Sequence, residues 1–470
     1  QKIVADVLAR WNKVLGNEVF FLTGTDEHGK KVSQSAQAFG KSPQVFVDEV
    51  SVKFKEAWKA LNIDFDRFIR TTDEDHKATV LEFVDKISKA GDIYKGDYSG
   101  WYCVGCECFY TEKEMPDKIC NIHKKPLEKV SEETYFFRLS KYQKFLLDLY
   151  SNHPEFILPN ERRNEITNRV KEGLQDLSIT RTTFDWGIPF PSDPKHVIYV
   201  WFDALINYYT AINSKEKSKF WPADLHLLGK DNGWFHAVIW PAMLKSAGIE
   251  LPKTVFIHGF LTFNGNKISK SLGNVISPIT LANKYGADSI RYYCLRQIPF
   301  GEDGDFSEEA LINRHNSELA DSLGNLVNRV IVLTEKNFDG FVPQHSGEEN
   351  LRRLAENVVK AVSNSIDSFQ FHNALNDIFY VVSECNKHIN EKKPWEIKDK
   401  EQLGGILYEL LETLRFVAIL LYPFIPQSSE KIFEQLGIEK KFSIEELKWG
   451  KLKSGTKTKR GPVLFQKIKV

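Results

Sequence analysis

At 470 residues the chain is too long for one hydrophobic core, so two or three domains are expected. A hydrophobic content of 42%, with ten Trp and 33 Phe, describes a globular protein and excludes a disordered one. Lys+Arg and Asp+Glu both total 63, so overall charge does not point to a nucleic-acid partner, and any polyanion site must be a local patch.

Ile3, Val4, Val7, Leu8, Trp11, Val14 and Leu15 recur at helical spacing, and Gly16-Asn17 closes the run, so a helix opens the sequence. Val19-Phe-Phe-Leu22, apolar on both faces as a buried parallel strand should be, runs into Thr23-Gly-Thr-Asp26-Glu-His28-Gly29. The arrangement recurs three times. Val197–Val200 leads into Trp201-Phe-Asp203-Ala204, Leu225–Leu228 into Gly229-Lys-Asp231, and Thr254–Ile257 into His258-Gly259. Ligands bind beyond the carboxyl ends of the strands in open parallel α/β sheets, so four strands that deliver Gly and polar groups there predict one shared pocket.

Between the first strand and the other three lies a stretch of different chemistry. Cys103-Val-Gly-Cys106 and Cys120-Asn-Ile-His123 are two ligand pairs with two-residue spacers, a Cys3His set suited to tetrahedral structural zinc, with Cys108 as a competing ligand. A knuckle this small has no core of its own, so the metal would supply its folding energy. Four of the six cysteines lie within this stretch, which reads as a metal site rather than a disulfide framework and implies a reducing compartment, cytoplasmic or an organellar matrix. Glu161–Asp176 reads as a polar helix; its Arg162, Arg163, Arg169 and Lys171, like the Lys451–Arg460 run, form either a polyanion patch or a solvated face. Leu177-Ser-Ile-Thr-Arg181 and Trp186-Gly-Ile-Pro-Phe-Pro191 mark an extended crossing.

Asn264-Gly-Asn-Lys267-Ile-Ser-Lys270-Ser-Leu-Gly273-Asn274 carries two ammonium groups and short hydroxyls between turn signals, a mobile loop suited to a polyphosphate whose charge shifts during reaction. Beyond it the periodicity becomes helical. Ser307 with Glu308 and Glu309 resembles a helix start, and Leu351, Leu354, Val358, Val362, Ile366 and Phe369, then Leu407, Leu410, Leu411, Leu414, Val417 and Leu421, are core stripes of an all-α bundle. The longest apolar run, 416–421, is too short to span a bilayer. In the bundle Asn325 and Arg329 share a helix face, and Trp395 follows Pro394; Arg and Trp together can bond to and stack on unpaired bases.

Apart from Ile268, the lysine loop matches the Lys-Met-Ser-Lys-Ser signature of class I aminoacyl-tRNA synthetases. Its flanks, His258-Gly-Phe260 and Ser271-Leu-Gly-Asn274, with the Thr-Asp-Glu-His-Gly and Val-Trp-Phe-Asp-Ala runs, resemble the methionyl branch. The resemblance covers nearly the whole chain. It implies an α/β Rossmann-like catalytic domain (1–95 and 181–275) interrupted by a zinc-bearing connective-peptide insertion (96–180). A linker (276–305) and an all-α helical anticodon-binding bundle (306–470) would follow.

The implied reaction is methionine activation by ATP, with Mg2+, and transfer to the cognate tRNA by a monomer. The implied catalytic residues are Lys267 and Lys270. Asp26 would hold the α-ammonium, with His28, Tyr199, Trp201, Ala204, Leu205, Tyr208, Phe235 and His236 around the rest of methionine. Gly229, Asp231, His258, Gly259 and Lys270 would line the nucleotide, and Asn325, Arg329 and Trp395 would read the anticodon.

Two departures stand out. The family's His-Ile-Gly-His segment has no counterpart within these residues and is expected to precede them. Asn232-Gly233 stands where the family has an apolar Ile followed by a larger residue, so that wall of the pocket is expected to depart from the family pattern. Rival readings are a cysteinyl, leucyl, isoleucyl or valyl enzyme, or a non-catalytic tRNA-binding relative.

Overall fold

The computed structural model describes residues 1–105, 108–110, 115, 117–121, 124–263, 266–267, 277–344 and 350–469. They form two compact units. One comprises Phe20–Lys55 and Phe65–His258; the other comprises Gln1–Val19, Glu56–Asp64 and Gly259–Val470.

In the first unit, strand Leu22–Thr25 runs parallel to Arg67–Arg70, with Thr25 opposite Arg70. A Cβ at Gly24 would sit 1.9 Å from the Ile69 carbonyl oxygen, so only glycine lets the two strands approach this closely. The strand lies three residues later than Val19–Leu22. The Asp66 carboxylate takes the Phe21 N–H at 2.7 Å, and ladder pairing starts only at Leu22. Leu225–Gly229 and Thr254–His258 are parallel neighbours as expected, ending on the pair Gly229 and His258, and Ile157–Leu158 adds a short third strand.

The expected strand Val197–Val200 is different. Asp193–Ile198 pairs antiparallel with Thr180–Arg181 and Pro189–Phe190, and the chain is already helical over Val200–Ala204. An apolar run buried on both sides reads alike in either sheet type, which is why sequence did not separate them. The pieces pack through a shared core in which Phe83, Phe137, Phe156, Phe202 and Trp240 are fully buried.

The inserted stretch is a long antiparallel hairpin, Ile93–Cys103 against Glu128–Phe137, extended by Leu177–Ser178. At its tip Cys103 and Cys120 are buried with Met115 and Leu127. Lys124 donates its N–H to the Cys120 carbonyl and Cys120 donates to that of Lys125, folding the chain tightly around the second cysteine. Cys106 and His123 lie outside the described residues, and among the described residues no three His, Cys, Asp or Glu converge on one point. The polar helix spans Asn160–Lys171, ended by Gly173 at φ 113°.

In the second unit, helix Lys2–Val14 buries Val4, Val7, Trp11 and Val14, the expected stripe, and also Asp6 and Arg10. Asp6 accepts from Arg10 at 2.8 Å and from Arg291 at 2.6 Å, one carboxylate between two guanidiniums that also donate to the Asn62, Phe424 and Pro423 carbonyls. The bundle is built from Asn325–Phe338, Asn350–Asp367, Phe371–Lys392, Lys400–Leu421 and Pro426–Leu436. From Leu403 to Leu421 every residue of the fourth helix is buried, so it is the axis of this unit. Ser307 caps the Glu308–Arg314 helix, accepting from the Ala310 N–H. Among the described residues no helix is long and apolar enough to cross a membrane.

Candidate active site

The loop after strand Leu22–Thr25 is held by its buried neighbours, leaving Asp26 exposed between them. The Glu27 carboxylate accepts from Arg70 Nε (2.8 Å), Thr25 Oγ1 (2.6 Å) and Thr72 Oγ1 (2.5 Å), while its N–H donates to Thr71 Oγ1. These ties hold the Arg70 guanidinium firmly protonated. Trp186 donates Nε1–H to the Glu27 carbonyl and accepts the Gly29 N–H, so the expected extended crossing closes over this loop.

His28 is turned inward. Its Nδ1 lies 2.6 Å from Asp203 Oδ2; Asp203 Oδ1 lies 2.7 Å from His76 Nε2, and His76 Nδ1 lies 3.0 Å from Thr210 Oγ1. Burial alone would raise the Asp203 pKa, but the bonds and charge of the two histidines outweigh it, and the carboxyl is held below its ordinary range. An ionised carboxylate only accepts, so both imidazole nitrogens facing it carry hydrogen.

Beside this cluster the aromatic residues expected from the sequence do come together. Trp201 and Phe235 stack with centroids 3.8 Å apart and planes 6° from parallel. Tyr208 Oη lies 2.7 Å from His236 Nε2, and His236 Nδ1 lies 3.0 Å from the Asn232 carbonyl. Phe235–Ile239 is a π-helical turn, a widened form that recurs at functional sites. Burial lowers the His236 pKa to about 4, so the ring is neutral at pH 7; the carbonyl fixes its hydrogen on Nδ1, and Nε2 accepts from Tyr208. Ala204, Leu205 and Tyr199 are buried behind these rings, and the Arg181 guanidinium lies 4.5 Å from the Tyr199 ring centroid.

Asn232 is only half-buried, so the departure at this position leaves no buried amide to satisfy. A Cβ at Gly233 would meet Ile257 Cδ1 at 3.1 Å, which accounts for the small residue. At the paired strand ends, a Cβ on Gly229 would come within 2.9 Å of Asp231 Oδ1 and 3.7 Å of His258 Cε1; glycine keeps that surface open. Gly259 begins the other unit, where a Cβ would strike the Glu302 carbonyl at 2.4 Å. Lys267 lies in a two-residue strand, Asn266–Lys267, antiparallel to Leu261–Phe263, and Lys270 lies outside the described residues.

In the bundle Arg329 Nη2 donates to Asn390 Oδ1 at 2.9 Å, and its guanidinium lies 6.0 Å from the ring centroid of Trp395, which is 54% exposed. Asn325 is exposed one turn earlier on the same helix. Sequence reasoning missed His76, Thr210, His226, Asn390 and the part played by Asp203. Two had a signal: Asp203 interrupts an apolar run, and His76 lies on the stripe of Val80, Phe83, Val84 and Ile87. His226 packs against Tyr208 with centroids 4.1 Å apart and planes tilted by 44°, and burial, then the nearby His236, lowers its pKa to about 3.

Comparison with known proteins is consistent along the chain. The family model described as "tRNA synthetases class I (M)" matches residues 1–118 and 112–331, and "Anticodon-binding domain of tRNA ligase" matches 348–467. The chain is 50% identical over 482 residues to the methionine–tRNA ligase of Caldanaerobacter subterraneus subsp. tengcongensis, covering 100% of this chain and 76% of that one. It is also 50% identical to the methionine–tRNA ligase of Thermotoga maritima, covering 99% and 77%. Mycobacterium tuberculosis methionyl-tRNA synthetase bound by methionyl-adenylate superposes with a TM-score of 0.95 at 41% identity, over 99% of this chain and 95% of that one.

Proposed function

The chain belongs to the methionyl branch of the class I tRNA synthetases, and from that premise we propose that the loop and aromatic pocket described above hold its methionine and ATP. The enzyme activates L-methionine with ATP, releasing pyrophosphate, and transfers methionine to tRNA. The activation step is attack of a carboxylate on the α-phosphorus. It needs no protein nucleophile or general base, only in-line placement and stabilisation of phosphate charge.

In this reading Asp26 accepts the substrate ammonium, while its buried neighbours keep the loop from following the ligand. Trp201, Phe235, Tyr208 and His236 surround the thioether, for which aromatic faces are favourable partners. The adenosine lies against Gly229, Asp231, His258 and Gly259. Lys267 and Lys270 meet the phosphates, with Mg2+ accompanying ATP. Arg329, Asn325 and Trp395 bond to and stack on anticodon bases.

Cys103, Cys106, Cys120 and His123 would hold a structural zinc ion. Two of these thiols buried together at a tight hairpin tip suit a metal that replaces a core. The domain borders proposed for this enzyme are 1–95 with 181–275, 96–180, 276–305 and 306–470, in a monomer.

The observation that carries the reading is the stacked Trp201–Phe235 pair joined to the Tyr208–His236 hydrogen bond within one packed core. Methionine-dependent ATP–pyrophosphate exchange by the full protein tests it. Lys270→Ala is expected to lower kcat by about 100-fold or more, and Trp201→Ala to raise the methionine KM by about tenfold. Exchange driven by a different amino acid would overturn the pocket assignment. Metal analysis giving one zinc per chain supports the knuckle, and none removes it.

A further inference from the structure

The side chains assigned to the methionine pocket come from separate pieces of chain, and hydrogen bonds to one buried carboxylate connect three of them. His28 lies two residues beyond Asp26, Asp203 two beyond Trp201, and Thr210 two beyond Tyr208. His76, from the first turn of helix Glu74–Lys89, closes the cluster by bridging Asp203 and Thr210. Asp203 and His76 are wholly buried, so these bonds form without competition from water.

We propose that Asp203 and His76 are positioning residues for methionine: their clasp sets the distance between the ammonium-binding loop at Asp26 and the aromatic walls at Trp201 and Tyr208. The inference rests on the reading that Asp26 and Trp201 touch the amino acid. Neither Asp203 nor His76 contacts substrate in this scheme. They act through His28 on one side and, on the other, through helices Val200–Ala204 and Asn207–Ile212, which carry Trp201 and Tyr208.

The geometry also states which replacements keep the clasp. Glutamine at position 76 retains an N–H donor for Asp203, whereas leucine leaves the carboxylate with one imidazole fewer. Asparagine at 203 keeps the shape but turns an amide N–H toward an imidazole that is itself a donor.

The test measures methionine-dependent exchange and thermal unfolding for the full-length parent, His76→Leu, His76→Gln and Asp203→Asn, with Asp26→Asn and Trp201→Ala beside them. Assayed where each is folded, His76→Leu and Asp203→Asn are expected to raise the methionine KM about tenfold, the factor that about 1.4 kcal/mol represents, with the ATP KM changed far less. His76→Gln should recover most of that loss.

A folded His76→Leu with the parental methionine KM, when Trp201→Ala raises it, overturns the clasp and leaves the pocket intact. If Asp26→Asn and Trp201→Ala leave the methionine KM unchanged, the pocket reading fails first. Should His76→Leu or Asp203→Asn not fold, Thr210→Val removes only the hydroxyl that meets His76. A rise of about threefold in methionine KM alone then supports the proposal, and no change overturns it.

Discussion

Asp203 in the catalytic unit and Glu412 in the bundle are both wholly buried carboxylates, and they are held by opposite means. Asp203 is gripped by two imidazoles that lie 175 and 127 residues away in sequence. Glu412 accepts from Arg415, three residues along its own helix, and from the backbone N–H groups of Gly450, Lys451 and Leu452 at 2.8, 3.1 and 3.2 Å. Arg415 also donates to the Glu446 and Lys448 carbonyls. Held by a guanidinium of its own helix and by three backbone amides, the bundle's carboxylate pins the C-terminal segment. The catalytic unit ties its carboxylate to His28, in the loop after strand Leu22–Thr25, and to His76, in helix Glu74–Lys89. Similar electrostatic demands thus serve architecture in one unit and, under the proposed clasp, ligand geometry in the other.

The largest expected effect breaks the bundle's side of this contrast. Arg415→Met keeps the buried stem but leaves Glu412 without its counter-charge, and breaking a buried pair this way costs about 3–5 kcal/mol. Denaturant unfolding should show that loss, with the change in the stability of the protein rather than in the methionine KM. A loss below about 1 kcal/mol would mean the three backbone donors suffice and the pin is not an ion pair in any energetic sense.

The next effect concerns protons and belongs to the catalytic unit. His236 and His226 are lowered by burial to about 4 and about 3. A base whose folded pKa is depressed is bound by more protons in the unfolded chain between the two values. Its contribution is therefore fully present above pH 6.5 and is lost as pH falls toward 4 for His236 and toward 3 for His226. Each unit of displacement corresponds to about 1.4 kcal/mol, so the contribution of these two histidines should be level near pH 7–8 and decline steadily below 6.5. His226→Phe keeps a ring against Tyr208 and removes the titrating nitrogen. Because His226 Nε2 is buried without a hydrogen-bond partner among the described residues, the variant should be no less stable at pH 7 and should show a shallower acid decline. An unchanged pH profile would show that His226 does not carry this term.

How much of this was legible in the sequence follows from the range of each interaction. Leu225–Gly229 and Thr254–His258 were readable because a strand buried on both faces is written in consecutive apolar letters. The same letters at Val197–Val200 belong to an antiparallel strand that ends early in a helix, and pairing direction leaves no mark on one strand alone. The bundle was readable because its stripes are periodic, but Glu412 and Arg415 sit within the most buried helix of the unit, and their backbone partners arrive from some 40 residues downstream. Trp201, Tyr208, Phe235 and His236 were found through family resemblance, whereas the geometry that joins them depends on a π-helical turn with no sequence signature. His76 stayed hidden because its partner is 127 residues away and its own spacing looks like core.

The smallest expected effect compares the buried clasp with a hold on the surface. Among the described residues Arg329 is steadied by one hydrogen bond, to Asn390, a residue at the end of helix Phe371–Lys392 that is open to solvent. Water competes for both groups, so the bond is worth about 0.5–1 kcal/mol at most, against the larger value of bonds to a buried charge. Asn390→Ala should therefore raise the tRNA KM for aminoacylation only about two- to fivefold, whereas Arg329→Ala, which removes the charge itself, should cost about tenfold or more. The two substitutions also differ in salt response: losing Arg329 should flatten the dependence of tRNA affinity on salt, while losing Asn390 should leave the slope intact. If Asn390→Ala proves as costly as Arg329→Ala, the asparagine contacts RNA directly, and the surface hold is a second recognition residue.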